Sequence, residues 1–174
     1  MNQIYEKSNK VALRLTEEKD LDFVVETEHN IENCLFVRAW EKSDHLNLLS
    51  NNNRLHLIVE EVEAHQPVGH VILSGHKGQD HNIEFRRIVI SEKGKGYGRE
   101  TVNLVKKFAF ERLNAHRLWL DVKEHNQRAF YLYKSLGFKK EGLLREAFLY
   151  EGKYESLIIM SILENEYFYI KKDM

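Results

Sequence analysis

The sequence has very few of the residues that cross-link or stiffen small secreted proteins. Its 174 residues include one cysteine, Cys34, and one proline, Pro67. A single thiol cannot form an intramolecular disulfide, and Cys34 has no second cysteine with which to build a zinc site. The nine histidines are scattered and form no HExxH pattern. A disulfide-stapled fold is therefore excluded, and no metal site is expected.

Long hydrophobic runs are also missing. The longest strongly apolar segment, LIIMSIL at 157–163, is too short to span a bilayer, and the N-terminus MNQIYEKSNK lacks the apolar core of a secretory signal. We therefore expect a cytoplasmic protein with no membrane partner. With 43% hydrophobic and 30% charged residues, the chain has an ordinary globular composition, and its length suits one domain over residues 1–174.

The chain carries little net charge, formally −1, but the charges are distributed unevenly. Residues 1–65 hold 7 Lys and Arg against 13 Asp and Glu, a net charge of −6, whereas residues 66–174 hold 19 against 14, a net charge of +5. A basic half suits a polyanionic ligand and an acidic half a cationic one, although two solvated surfaces of unequal composition explain the counts equally well. Basic residues interleaved with acids, without an RNP-like aromatic set, argue against a nucleic-acid partner.

Hydrophobic periodicity predicts one mixed α/β domain with a central sheet, in the order β-α-α-β-β-β-α-β-α-β-β. Thr16 is predicted to cap the first helix, which reaches about residue 28, and Gly137 is predicted to end the last one. The predicted strands cover 11–16, 54–62, 67–75, 82–90 and 116–122, with a hairpin over 145–163. The other predicted helices cover 43–53, 101–113 and 126–138, and residues 164–174 are expected to form a tail.

A glycine-rich turn, KGKGYGRE at 93–100, joins a predicted strand to an amphipathic helix. Such a junction exposes backbone N–H groups at the positive end of the helix dipole, and Gly94, Gly96 and Gly98 let a phosphate approach closely. The turn fits neither GxxxxGK[ST] nor GxGxxG. Taken alone, it is compatible with an anion site and with a flexible turn.

A second pattern lies in the predicted helix over 126–138. Asn126 and Tyr133 are seven residues apart and share nearly one helical face, with the small Ala129 between them. Ordinary structural roles are also available, because Asn126 suits an N-cap, Tyr133 a core position and Gly137 a helix end.

Taken together, the two segments resemble the GCN5-related N-acetyltransferase family. The turn matches its pyrophosphate signature of Gln or Arg, two residues, Gly, any residue and then Gly or Ala, except that Lys93 stands first. The second segment matches the family's other motif at Asn126, Ala129, Tyr133, Gly137 and Phe138. The resemblance covers about residues 11–163. It implies the acyl-CoA N-acyltransferase fold, a mostly antiparallel mixed sheet that is splayed in the middle and flanked by helices.

The resemblance implies acetyl-CoA as the acyl donor. Its pyrophosphate is expected on backbone amides of the glycine turn, and its pantetheine arm along the strand before that turn. The residues that the resemblance assigns to acetyl-CoA are Ile88, Val89, Ile90, Lys93, Gly94, Lys95, Gly96, Gly98, Arg99 and Asn126.

Acetyl transfer to an amine requires removal of a proton from nitrogen, stabilisation of an oxyanion and protonation of the departing thiolate. The resemblance places Tyr133 beside the thioester sulfur, where it can act as the acid. Glu84 lies upstream on the strand that precedes the turn and is the candidate base, acting directly or through water. An exposed strand carboxylate without a catalytic role is the alternative for Glu84.

The N-terminal region forms the substrate side in the resembled family, and here it places carboxylates beside aromatics. Glu28, Glu32 and Trp40 are the candidates for binding an alkylammonium group. The sequence looks closest to the branch of spermidine and protein N-terminal acetyltransferases. A polyamine or other small amine is therefore the expected acceptor, with a peptide N-terminus as the alternative. A non-catalytic acyl-CoA sensor is an alternative of another class, and the C-terminal run EYFYIKK is compatible with a homodimer.

Overall fold

The computed structural model describes residues 3–172, which form one eight-stranded sheet in the order β1-β2-β3-β4-β5-β6-β8-β7. The strands are β1 (Ile4–Lys7), β2 (Val11–Leu15), β3 (Arg54–Glu61), β4 (Pro67–Ser74), β5 (Asn82–Ile90), β6 (Arg117–Lys123), β7 (Lys139–Tyr150) and β8 (Lys153–Leu163). The helices are α1 (Leu21–His29), α2 (Ile31–Cys34), α3 (Lys42–Leu49), α4 (Tyr97–Glu111), α5 (Gln127–Ser135) and α6 (Glu164–Lys172). No helix within residues 3–172 is both long and apolar enough to cross a bilayer.

The sheet opens in the middle, between β5 and β6. These two strands are parallel, whereas the other neighbouring pairs are antiparallel. Their pairing begins at Asn82 and Arg117 and ends at Glu84 and Trp119, although β5 continues to Ile90. Backbone N–H and C=O groups beyond this point need other partners, so the diverging edges can bind an extended ligand. The predicted mixed sheet, mostly antiparallel and splayed in the middle, is confirmed.

A β-bulge accounts for the divergence. Ile72 and Leu73 of β4 pair with Arg87 and Phe85 of β5, so Arg86 is an extra residue in β5. A bulge bends its strand and increases the local twist. Because this one lies directly after the last β5–β6 pair, it turns the end of β5 away from β6.

Helices cover both faces of the sheet. Helix α4 packs against β1, β2 and β5, whereas α1 and α3 pack against β3, β4 and β5 from the other side. Val102, Val105 and Ala109, which share one face of α4, are fully buried, as the amphipathic pattern predicted. The resulting core holds the strand-to-helix turn at 91–96 against the open part of the sheet.

The ends of the chain differ from the prediction in three ways. Thr16 does not cap a helix, because its hydroxyl lies 2.8 Å from His56 Nδ1; a 3-10 turn at Glu18–Asp20 follows instead and leads into α1. Most of the predicted tail is helix α6, whose Tyr167 stacks on Phe110 of α4 with 4.8 Å between ring centroids. Residues 173 and 174 of that tail lie outside the described part. Strand β1 was not predicted.

Candidate active site

A cleft of about 1150 Å³ passes through the opening between β5 and β6. Its walls come from α2 and the loop after it, β5, the glycine turn, β6 and α5. Most of the predicted site residues line this cleft: Glu32, Trp40, Glu84, Ile88, Ile90, Lys93, Gly94, Gly96, Gly98, Arg99, Asn126 and Tyr133. The fold therefore brings together segments that are about 100 residues apart in the sequence. Val89, Lys95 and Glu28 do not line the cleft.

The glycine turn has the geometry of an anion site. Gly94 and Gly96 have φ angles of +83° and +85°, a region that favours glycine, and Gly96 is the N-cap residue of α4. The 15-residue helix α4 leaves its first N–H groups without helical partners and presents its positive dipole end there. These groups can bind a pyrophosphate without any side chain.

Side chains brace the outer surface of this turn. Lys10 Nζ donates a hydrogen bond to the Lys95 carbonyl at 3.1 Å, and the Lys95 ammonium forms an ion pair with Glu92. The Tyr97 hydroxyl donates a hydrogen bond to the Glu61 carboxylate. Because the Lys95 ammonium is paired with Glu92 and Lys95 itself does not line the cleft, its backbone amide is the group available for the role predicted for this residue.

Lys93, which departs from the Gln or Arg of the signature, braces the turn from inside. Its Nζ donates to the Ile90 carbonyl at 2.8 Å and to Asn33 Oδ1 at 2.5 Å. Burial lowers the pKa of Lys93, and the charge of Arg128 acts in the same direction. The ammonium group thus ties the turn to α2 and to the end of β5.

Helix α5 carries the second motif. The Asn126 side chain accepts a hydrogen bond from the Ala129 N–H at 3.2 Å, so it is the N-cap, and it also lies at the cleft wall. Tyr133 is 7% exposed and packs edge-on against Phe85 and Phe138, with 6.5 and 5.7 Å between ring centroids. Burial raises the pKa of Tyr133, and the charge of Asp121 raises it further. The hydroxyl is therefore protonated at neutral pH and has a proton to donate.

Two carboxylates flank the opening of the sheet. Glu84, the predicted base, stands at the last β5–β6 pair and forms an ion pair with Arg86 at 3.3 Å. Asp121 on β6 was not predicted. The Asp121 side chain is exposed to the cleft, where partial loss of hydration raises its pKa and the charge of the nearby Glu84 adds to this shift. One signal was available in the sequence: Asp121 lies between two apolar residues, Leu120 and Val122, in a strand where a polar face indicates a site.

The structure corrects the prediction for Glu28. This side chain is fully buried beneath the cleft, so it cannot contact an acceptor. Arg87 Nη1 donates to Glu28 Oε1 at 2.5 Å, and His70 Nε2 lies 2.9 Å from the same oxygen. The Trp40 N–H donates to the other carboxylate oxygen at 2.9 Å. Glu28 therefore supports the loop that forms the cleft wall.

The buried network continues through three histidines. His45 Nε2 lies 3.4 Å from Glu28 Oε2, and His45 Nδ1 lies 3.0 Å from His56 Nε2. Burial lowers the pKa of His56 to about 3, and burial also lowers the pKa of His70. The His56 and His70 rings are therefore neutral near pH 7. The sequence does not reveal the network, because its members come from separate helices and strands.

Trp40 and Glu32, two of the residues predicted to bind the acceptor, line the cleft. The Arg87 guanidinium lies 3.9 Å from the centre of the Trp40 ring. Glu28 therefore positions Trp40 in two ways: it accepts a hydrogen bond from the Trp40 backbone N–H, and it binds the Arg87 side chain that stacks on the ring. Glu32 is exposed on α2. Of the three predicted acceptor residues, these two lie where an amine entering the cleft can contact them.

Comparison with known proteins agrees with this geometry. The profile of the acetyltransferase (GNAT) family matches residues 24–138. The spermidine N(1)-acetyltransferase of Vibrio cholerae is 31% identical over 168 residues, covering 92% of this chain and 96% of that protein. The enzyme of the same name from Escherichia coli K12 is 28% identical over 170 residues, covering 92% and 89%.

A solved structure extends the similarity to three dimensions. The crystal structure of spermidine N-acetyltransferase from Vibrio cholerae in complex with CoA and spermine superposes with a TM-score of 0.83 and 27% identity, covering 92% of this chain and 99% of that one. The glycine turn and Tyr133 also lie within residues 24–138, which the family profile matches. The chain therefore belongs to the acetyltransferase (GNAT) family, and it is an acetyl-CoA-dependent N-acetyltransferase.

Proposed function

We propose that this enzyme acetylates a primary amine of a polyamine, with spermidine as the first candidate. The observation that carries this proposal is the similarity to spermidine N(1)-acetyltransferases, which extends over 92% of the chain. The similarity therefore includes the N-terminal region as well as the acetyl-CoA motifs. The acceptor side of the cleft supports it, because Glu32 and the Trp40 ring offer a carboxylate and an aromatic surface to an alkylammonium group.

The roles of the site residues follow from their positions. Backbone N–H groups of Lys95, Gly96, Gly98 and Arg99 would hold the pyrophosphate, and the unpaired edge of β5 would bind the pantetheine arm. Acetyl-CoA, when bound, supplies the acetyl thioester. Holding the amine in line with it can contribute about 7–11 kcal/mol, more than one proton transfer.

The proton transfers are assigned to opposite faces of the sheet. Tyr133, packed against Phe85 on the α5 side, donates a proton to the departing sulfur. A carboxylate on the α1 side removes a proton from the acceptor nitrogen. Glu84, predicted from the sequence, lies on that side because its β4 partner, Ser74, shares a strand face with His70.

Thiol release from acetyl-CoA tests the proposed acceptor. We expect saturable release with spermidine and spermine, and much less with amino acids, aminoglycosides or short peptides. Release with free peptide N-termini alone would make the protein an N-terminal acetyltransferase. Binding of CoA, measured by calorimetry, without release against any amine in the panel would make it a sensor.

We further infer a cytoplasmic, self-associating protein. Cytoplasmic location fits its use of acetyl-CoA. Self-association is supported by a spermidine N-acetyltransferase from Vibrio cholerae whose structure is dodecameric, with 29% identity and a TM-score of 0.78. Sedimentation analysis would give the mass of the assembly, and a 20.7 kDa species at assay concentration would refute self-association.

A further inference from the structure

Two carboxylates reach the opening of the sheet from the acceptor side, and they are not equivalent. Trp119, Asp121 and Lys123 alternate along β6 with the buried Leu120 and Val122. Lys123 donates to the Leu35 carbonyl at the end of α2, so this face of β6 points toward the acceptor side. Asp121 therefore lies on the acceptor side of the opening, across from Glu84.

The Glu84 carboxylate is already engaged. Arg86, the extra residue of the β-bulge, places its Nη1 3.3 Å and 3.5 Å from the two Glu84 oxygens. An incoming ammonium group would have to compete with this guanidinium for both oxygens. The bulge thus commits Glu84 to a neighbour on its own strand.

Asp121 is not committed in this way. Among the described residues 3–172, no lysine, arginine or histidine forms an ion pair with it. It lines the cleft together with Tyr133 and is close enough to influence the titration of that hydroxyl. A base whose proton affinity is raised toward the working pH removes a proton from an amine most effectively.

We propose that Asp121 is the general base that deprotonates the acceptor amine, and that Glu84 with Arg86 is an auxiliary ion pair beside it. This inference rests on the proposed function for its choice of acceptor. It adds to the site a catalytic residue that neither the two motifs nor the N-terminal region contains.

Bonds and protons balance when Asp121 acts as the base and Tyr133 as the acid. The acceptor ammonium gives one proton to the Asp121 carboxylate, which passes it to solvent. The free amine attacks the thioester carbon, the C–N bond forms and the C–S bond breaks. The sulfur takes its proton from the Tyr133 hydroxyl, and the second proton lost from nitrogen restores that hydroxyl. The products are the amide, the CoA thiol and one proton released to solvent.

The charged groups around Asp121 determine its titration. Glu84 and Arg86 face it from β5, with opposite effects on its pKa, and Tyr133 faces it from α5. Lys123, two residues along the same face of β6, forms an ion pair with Glu155 at 2.8 Å. The neighbour of Asp121 on β8 is the apolar Ile159.

The test compares Asp121→Asn, Asp121→Glu and Glu84→Gln, with spermidine as the probe and with pH profiles of kcat/KM. We expect Asp121→Asn to lower kcat/KM by about 10²–10⁴-fold. The acidic limb of the profile should disappear, whereas CoA binding and thermal stability stay near wild type. Asp121→Glu should restore part of the activity together with an acidic limb. Glu84→Gln should keep the limb, with a smaller loss of activity.

A structural role for Asp121 would not remove the acidic limb, so the profile separates the two roles. The inference is overturned if Asp121→Asn keeps the limb, or keeps kcat/KM within about threefold of wild type. It is also overturned if Glu84→Gln alone loses the limb. If the wild type does not acetylate spermidine but acetylates another amine, the variants are compared with that amine as the substrate. That result refutes the proposed acceptor and leaves the assignment of Asp121 to be tested by the same pH profiles. A wild type that acetylates no amine refutes both.

Discussion

Replacing Glu28 with glutamine tests the role of the buried network directly. The variant removes a negative charge that is paired with Arg87, whose side chain is only 10% exposed. Leaving one partner of a buried ion pair without compensation costs about 3–5 kcal/mol, a large part of the about 5–15 kcal/mol that stabilises a typical domain. For a domain of this size, that loss corresponds to a fall in Tm of about 6–20 °C. Thermal and urea unfolding at pH 7 measure it.

The pH dependence of the effect follows from the pKa of Glu28. Burial alone would raise this pKa, but the contacts with His45 and His70 and the charge of Arg87 outweigh burial and hold the pKa well below its usual range. A carboxylate with a depressed pKa stabilises the fold above its unfolded-state pKa, and this contribution is lost as the pH falls toward the folded-state pKa. The stability difference between wild type and Glu28→Gln should therefore shrink below about pH 4.

Two further variants control this experiment. Glu26→Gln removes a carboxylate from the exposed side of the same helix and should change stability by less than about 0.5 kcal/mol. Adding Arg87→Met to Glu28→Gln should recover stability, because no unpaired buried cation is then left. A Glu28→Gln protein as stable as Glu26→Gln at pH 7 would refute the assignment of a buried charge network.

Three predictions concern the cleft. Gly96→Ala strains a residue at φ +85° and places a Cβ 3.2 Å from Lys10 Nζ, so calorimetry should show weaker CoA binding. The control is Gly152→Ala, at φ +75° in the distant β7–β8 turn, which should leave CoA binding unchanged. Tyr133→Phe should lower kcat by about 10²-fold or more while CoA binding is retained, and unchanged turnover would remove Tyr133 from the acid role. Trp40→Ala should raise the KM for spermidine about fivefold, because about 1 kcal/mol of cation–π attraction is lost. A change confined to CoA binding would contradict the assignment of Trp40 to the acceptor side.

The predicted motif residues that the fold brings to the cleft are local in the sequence. Gly94, Gly96 and Gly98 lie within five residues, and Asn126 and Tyr133 occupy one helix, so backbone geometry and helical spacing suffice to relate them. The meander strands β3, β4 and β5 were predicted for a similar reason, because alternation within each strand is readable without its partners. These patterns led to the family and to its acyl donor.

The residues predicted to bind the acceptor do not all reach the cleft. Glu28 and Glu32 are four residues apart and look alike as sequence, yet one is fully buried against Arg87 and the other is exposed at the cleft. Asp121 was overlooked because its position between Leu120 and Val122 marks a polar strand face but does not show that β6 borders an opening. That opening depends on a bulge at Arg86, which only the pairing of β4 with β5 reveals.

By itself, the sequence determined a mixed α/β acetyltransferase domain that uses acetyl-CoA, and it predicted a backbone cradle and a tyrosine acid, because short-range spacing encodes those features. Only the tertiary structure decided which carboxylates face the cleft and which support its wall. The physical reason is that burial and charge pairing are set by contacts between distant segments. Glu28 became a structural anion because Arg87 and His70 surround it, and Asp121 faces the opening because β5 bends away from β6.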